Sequence, residues 1–349
     1  MGPTLRSYVS QKIHPALQGE GVRCIVISGW LQRALPAHIA PFELDQPLDF
    51  RRPTVSALDS TTFELHCFPS ENYMIHYASL IATYFALYKS EHRVLILMDP
   101  VRVNTGFYRI SAYPGPPDTT FHHLFNLHSM GSIDIAIFGE VHHLKGLYGG
   151  SWKDGGGSYE GVLRWRKLSS PNGKTIALMG CLEKVWGDAG EHLIQALHSQ
   201  TRVKQIVYVA KAGSLSERYA PNEWIATGER AMIGKDAPTV WQNPLQNALS
   251  ASTRVASGSI ITVPSTLCET HEWLEEWSPK ALWVDCEVCY MASVAQELHI
   301  DFGFLSVVSD NLCRRYEEDL SNEYSDTVTE KRRVLYNEIV KILKKFISE

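Results

Sequence analysis

The chain has 349 residues, 44% hydrophobic and 20% charged, which suits one large or two modest packed domains of ordinary globular composition. A net charge of −5 without any basic tract excludes nucleic acid or an anionic membrane surface as the expected partner. No apolar run reaches membrane-spanning length, the start Met1-Gly2-Pro3-Thr4 lacks an apolar signal region, and seven cysteines without a regular framework predict a reducing, cytoplasmic setting.

Residues 1–125 carry the fewest signals. Segment 23–30 reads as a strand, 72–88 as a helix with aromatic faces, and 93–98 as a strand stopped by Asp99-Pro100. Arg102, Asn104, Tyr108 and Arg109 around Gly106 could clamp a phosphate, but a polar strand edge is the preferred reading. Segment 113–117, rich in proline, reads as a rigid connector.

From residue 131 the pattern becomes regular. Segment 133–138 is a strand, followed by Gly139-Glu140-Val141-His142-His143. The glycine-rich 149–157 lacks the Lys-Ser/Thr ending of a P-loop and reads as a flexible connection. Segments 159–168 and 174–179 are expected to pair antiparallel, and 188–199 is helical. Segment 205–210 is a strand running into Lys211-Ala212-Gly213-Ser214-Leu215. Small residues there allow close backbone approach, with donors for an anion or a nucleophile. Lys211, inside an apolar strand and turn, reads as a cation that meets an anion rather than a solvated loop charge.

Segments 224–229 and 257–263 read as further strands. In 264–277, Glu269, His271, Glu272, Glu275 and Glu276 imitate metal ligands, but charge on a solvated helical face is the preferred reading. Segment 281–284 is apolar and ends in Asp285 and Glu287. Apolar residues then recur at helical spacing over 287–298, and 302–308 is a buried strand that stops at Ser309-Asp310-Asn311. One carboxylate thus starts a helix and another ends a strand, the end at which open α/β sheets bind ligands. Cys286-x-x-Cys289 has no second pair, so metal or redox chemistry is the weaker reading. Segment 317–326 is an acidic loop, and 327–348 an amphipathic helix with Val328, Leu335, Ile339, Ile342, Leu343 and Phe346 on one side.

Asp285-Cys286-Glu287 at a helix start, followed by a strand ending in Ser309-Asp310, resembles the signature of the purine nucleoside phosphorylase and nucleosidase superfamily. The turn after 205–210 resembles the family's second motif, a strand entering a Gly-Ser/Thr-x-Gly-type turn. It departs from it in Ala210 for the first glycine, in Lys211 for the hydroxyl residue, and in Tyr208 for the arginine that holds phosphate in phosphorylases. The resemblance covers about 131–349. It implies a three-layer α/β domain over 126–349, with a mixed, strongly twisted central sheet, preceded by an N-terminal extension, 1–125, of unrecognised family.

The implied activity is cleavage of the N-glycosidic bond of a purine nucleoside or nucleotide-like compound. Such cleavage leaves a sugar with oxocarbenium character and a base that needs a proton, so it calls for one carboxylate on the sugar and one acid at the base. The resemblance assigns Glu287 to the ribose hydroxyls and Asp310 to N7 of the base. Asp285, Cys286, Lys211, Ala212, Gly213, Ser214 and Ser309 are implied to line the substrate site. Ile261 stands where nucleosidases keep a stacking phenylalanine, so stacking would come from elsewhere, for example Tyr290 or Trp283. In the hydrolytic branch a carboxylate after the first core strand activates water. Glu140 matches it loosely, and His142 or His143 could do the same task.

Tyr208 favours water over phosphate as nucleophile. The alternatives are a phosphorylase with phosphate as co-substrate, and a non-catalytic nucleoside-binding or storage protein. No cofactor and no metal are implied. The expected partners are a small-molecule nucleoside or nucleotide and further copies of the chain, as a homodimer or higher homo-oligomer.

Overall fold

The structure, a computed structural model, describes residues 2–29, 52–68, 70–89, 94–98, 104–105, 108–109, 125–148, 163–182 and 184–349. The Asp99-Pro100 stop, Arg102 and Gly106, the 113–117 connector and the glycine-rich 149–157 lie outside them. Asn104–Thr105 and Tyr108–Arg109 form a short antiparallel pair.

Three neighbouring parallel strands make the centre of a mixed 11-stranded sheet. Gln205–Ser214 lies between Ile135–Gly139 and Asp301–Asn311 and runs parallel to both. Ile135–Gly139 also pairs in parallel with Thr175–Cys181, which is antiparallel to Leu163–Ser169 as its hydrophobic pattern predicts. Alternate residues of these strands enter two cores on opposite faces. Ile135, Ile137, Val207, Val209, Leu305 and Val307 pack on one side, and Ala136, Phe138, Ile206, Tyr208 and Phe304 on the other. A sheet buried on both faces explains why its strands read as continuous apolar runs.

The layers are supplied by helices. Asp326–Ser348 covers one face, placing Leu335, Ile339, Ile342, Leu343 and Phe346 against the sheet. Each fully buried aliphatic side chain of this kind contributes about 1.5–3 kcal/mol. Ala189–Thr201 and Val288–Glu297 cover the other face. Among the described residues no helix is long and apolar enough to cross a membrane.

The first part of the chain builds a second sheet, ordered Thr54–Ala57, Thr62–His66, Cys24–Ser28, Leu95–Met98. Only the last two were expected as strands; short polar strands such as Thr54–Ala57 carry little periodicity. The helix Glu71–Tyr88 packs into the same core as the large sheet. Its first turn is held by residues far along the chain. Asp188 accepts from the backbone N–H of Glu71 at 3.1 Å and of Asn72 at 3.2 Å, and from Ser70 Oγ at 2.6 Å. Satisfying exposed N–H groups at a helix start in this way fixes where the helix begins. It also seats the N-terminal segment against the sheet, beside the cavity described next.

Candidate active site

The parallel strands Ile135–Gly139, Gln205–Ser214 and Asp301–Asn311 deliver three short segments to one cavity: Gly139-Glu140, Ala210 to Gly213, and Ser309-Asp310. Trp283–Asp285 pairs antiparallel with the end of Gln205–Ser214, Val284 opposite Gly213, and brings Asp285-Cys286-Glu287 to the same place. The register between the two longest strands shifts at Ala212/Gly213, so that Gly213 faces Asp310 and Ser309 is the extra residue. Such a bulge re-aims the side chains at a strand end.

Two glycines are required by close packing. Gly139 has φ +111°, and a Cβ there would lie 2.2 Å from the Val209 carbonyl oxygen. At Gly213 a Cβ would lie 3.2 Å from Asp310 Oδ2 and 2.9 Å from Val284 Cγ1. Gly139→Ala is therefore expected to destabilise the fold by at least about 1–3 kcal/mol through its backbone conformation alone, with the steric overlap added. Chemical denaturation measures this; a change below about 0.5 kcal/mol would rule the account out.

Acids and bases divide within the cavity. Burial pushes the Asp310 carboxyl above the ordinary carboxylate range, against the opposing effects of Ser309 Oγ, which donates to Asp310 Oδ1 at 2.7 Å, and of Arg332. Glu269 lines the same cavity, and burial together with the charge of Asp310 pushes it well above its usual value. Burial thus favours the neutral form of both carboxyls. Glu287 is buried and lines the cavity as well.

Glu140 behaves in the opposite way. Burial alone would raise it, but Lys211, 3.5 Å away, and the neighbouring His143, His142 and Arg332 outweigh burial and keep it charged. Tyr336 of the closing helix donates to Glu140 Oε2. Lys211 also donates to Glu323 Oε2 at 3.1 Å. Glu323 is held well below the usual carboxylate range: burial raises it, and Lys211, Lys12 and Lys184 more than compensate.

Several sequence-based expectations need correction. Lys211 does meet anions, but they belong to the protein itself: on the cavity wall it pairs with Glu140 and Glu323. The Asp285 carboxylate accepts from Thr262 Oγ1 at 2.6 Å and from the N–H groups of Glu287 at 3.2 Å and Val288 at 2.7 Å. It caps the helix Val288–Glu297 and so aims Glu287, while burial lifts its own pKa to about 6. Ser214 is buried and closes a turn with Ser216. Ile261 packs in the core and does not line the cavity. Neither do Tyr290, His142 or His143, and Trp283 is fully buried against Tyr219.

The cavity's aromatic wall is Trp186, with His76 stacked on it at 4.5 Å, and the stacked pair Phe138 and Tyr208 at 5.7 Å. His76 is pushed down to about 3, by burial first and then by Lys184 and Lys12, so it is a neutral ring. Sequence reading missed Trp186, His76, Glu269 and Glu323. It placed Glu269 on a solvated helix and Glu323 in an acidic loop, whereas the helix His271–Trp277 starts after Glu269, and Glu323 is turned inward. A second cavity of about 650 Å³ shares Tyr8, Thr266, Glu269, Asp310 and Leu320 with the first. Among the described residues no group of three or more His, Cys, Asp or Glu is placed to hold a metal ion.

The sequence matches no protein-family model, and no curated protein matches it. Solved structures do match. Purine nucleoside phosphorylase from Toxoplasma gondii, in complex with immucillin-H, is 15% identical, with a TM-score of 0.51 over 67% of this chain and 98% of that one. A methylthioadenosine nucleosidase so described from Weissella paramesenteroides is 14% identical, with a TM-score of 0.49 over 62% and 98%. A futalosine hydrolase mutant from Helicobacter pylori is 15% identical, with a TM-score of 0.48 over 61% and 99%. At this identity the likeness to the phosphorylase is one of fold: the chain has the nucleoside phosphorylase-like α/β fold that its two motifs implied.

Proposed function

We propose that this chain, built on the nucleoside phosphorylase-like fold, hydrolyses the N-glycosidic bond of a purine nucleoside or nucleotide-like compound. The observation that carries the reading is the meeting of Asp310, whose neutral form burial favours, and a buried Glu287 in one cavity at the carboxyl ends of parallel strands. Glu287 accepts from the sugar hydroxyls and fixes the ring. As the bond from the anomeric carbon to the base breaks, its electron pair goes to the base, which takes the Asp310 proton at N7. The oxygen of water bonds to the anomeric carbon, and Glu140, held charged by Lys211, accepts the water's proton. Tyr208 stands at the position of the strand Gln205–Ser214 where phosphorylases carry their phosphate-holding arginine, which supports water over phosphate as nucleophile.

The test is a purine nucleoside and nucleotide panel with chromatographic detection of free base, with and without phosphate. Base is expected without phosphate, and Glu140→Gln should lower its rate about 10²–10⁴-fold. Release that requires phosphate would overturn hydrolysis in favour of phosphorolysis. Binding without release of base from any compound would overturn catalysis altogether.

A further inference from the structure

Three cationic side chains of the cavity wall belong to none of the motifs above. Lys12 ends the helix Gly2–Lys12, Arg52 precedes the strand Thr54–Ala57, and Lys184 follows the strand Thr175–Cys181. Glu323 already receives Lys211 at 3.1 Å, Arg332 at 3.4 Å and Lys12 at 3.5 Å. Glu140, also held ionised, pairs with Lys211.

Among the described residues neither Arg52 nor Lys184 is in an ion pair with a carboxylate. Arg52 donates to Tyr324 Oη at 2.8 Å, and Lys184 Nζ stands 4.8 Å over the Trp186 ring. Arg332 keeps one guanidinium nitrogen, Nη2, buried without a hydrogen-bond partner. Thus, among the described residues, Arg52 and Lys184 stand on the cavity wall without a carboxylate partner, and Lys12 shares Glu323 with Lys211 and Arg332. Uncompensated positive charge in a partly buried cavity is costly, and an anion bound there relieves the cost. The strain is visible at Lys12, which is pushed down to about 8 by burial first and also by Lys184, Arg52 and Lys211, against the pull of Glu323.

We propose that Lys12, Arg52 and Lys184 form a phosphate subsite, and that the compound cleaved is a purine nucleoside 5′-monophosphate rather than a neutral nucleoside. The second half rests on the hydrolytic reading above. With the 2′ and 3′ hydroxyls on Glu287, the 5′ position is the one left to carry the phosphate. Lysine and arginine suit this group because charge-assisted hydrogen bonds to phosphate are about twice as strong as neutral ones. Inorganic phosphate has the same chemistry, so the test must separate the two sources.

The experiment measures calorimetric binding and base release for a purine nucleoside 5′-monophosphate, its nucleoside, ribose 5-phosphate and inorganic phosphate. It uses the full chain and its Lys184→Ala and Lys12→Ala variants. Lys184 carries no ion pair among the described residues, so its variant keeps the test decisive if Lys12→Ala fails to fold; thermal melting checks both. The monophosphate should exceed the nucleoside in kcat/KM on the order of 10²-fold, and each variant should weaken monophosphate binding about tenfold.

Equal kcat/KM for nucleoside and monophosphate, indifferent to Lys184→Ala, would overturn the subsite while leaving N-glycosidic cleavage intact. Lysine-dependent monophosphate binding without base release would uphold the subsite and overturn the catalytic reading. Lysine-dependent binding of inorganic phosphate, with base release from the nucleoside only when phosphate is added, would assign the subsite to a co-substrate and overturn the nucleotide.

Discussion

Replacing Asp310 by asparagine should cut turnover by about two to four orders of magnitude while leaving the fold intact. The amide keeps the size of the side chain and can still meet Ser309 Oγ, but it has no proton to give to a leaving base. The pH dependence carries the same information. Burial raises Asp310 above its ordinary value, so it stays protonated to higher pH than an exposed aspartate. Turnover should fall as pH rises through that raised value, and the asparagine variant should lose this limb.

Stability separates the role from a packing role. A buried carboxyl whose neutral form is favoured contributes unfavourably once pH exceeds its unfolded value, so Asp310→Asn should be no less stable than the parent at neutral pH. A folded variant with near-normal turnover, or an unchanged alkaline limb, would exclude Asp310 as the general acid.

The second large effect is on stability, at Glu323. Glu323→Gln keeps the shape but removes the charge that Lys211, Arg332 and Lys12 share at 3.1, 3.4 and 3.5 Å. Removing one partner of a buried ion pair costs about 3–5 kcal/mol. Lys211 and Lys12 keep 27% and 19% of their side-chain surface exposed, so solvent screening places this case at or below the lower end, about 2–3 kcal/mol.

The sign with pH follows from the direction of the shift. Glu323 lies below its ordinary value, so its contribution is fully present above the unfolded glutamate pKa of about 4.3 and is lost as pH falls through the folded one. The gap between parent and variant in denaturation free energy should be constant from pH 7 to about 5 and shrink below about 4. A gap under about 0.5 kcal/mol at pH 7, or one that persists unchanged at pH 3, would contradict this electrostatic role.

Sequence alone determined the elements whose signals are local. Strand 302–308, the helix after Glu287 and the closing helix were legible because burial imposes a period along a continuous stretch. The ends of those elements placed Asp310 and Glu287, and the strand 133–138 placed Glu140, since a strand end and a helix start are marked by small and polar residues; Lys211 to Gly213, read as a turn, continues the strand Gln205–Ser214.

What only the tertiary structure decided is which charges meet. Glu323 lies 112 positions from Lys211 and 311 from Lys12, and no periodicity or spacing connects residues so far apart. Glu269 looked solvated because its neighbours are acidic, but it stands before the helix and faces inward. Asp285 shares the Asp285-Cys286-Glu287 motif with Glu287, yet caps a helix, because the direction of a side chain depends on the φ/ψ of its own residue rather than on the motif. The N-terminal segment showed no family pattern. It supplies His76, Lys12 and Arg52 to the cavity because Asp188 and a shared apolar core fix it against the sheet. Local order is written in short stretches of sequence, whereas a site assembled from distant segments is set by packing and by long-range charge.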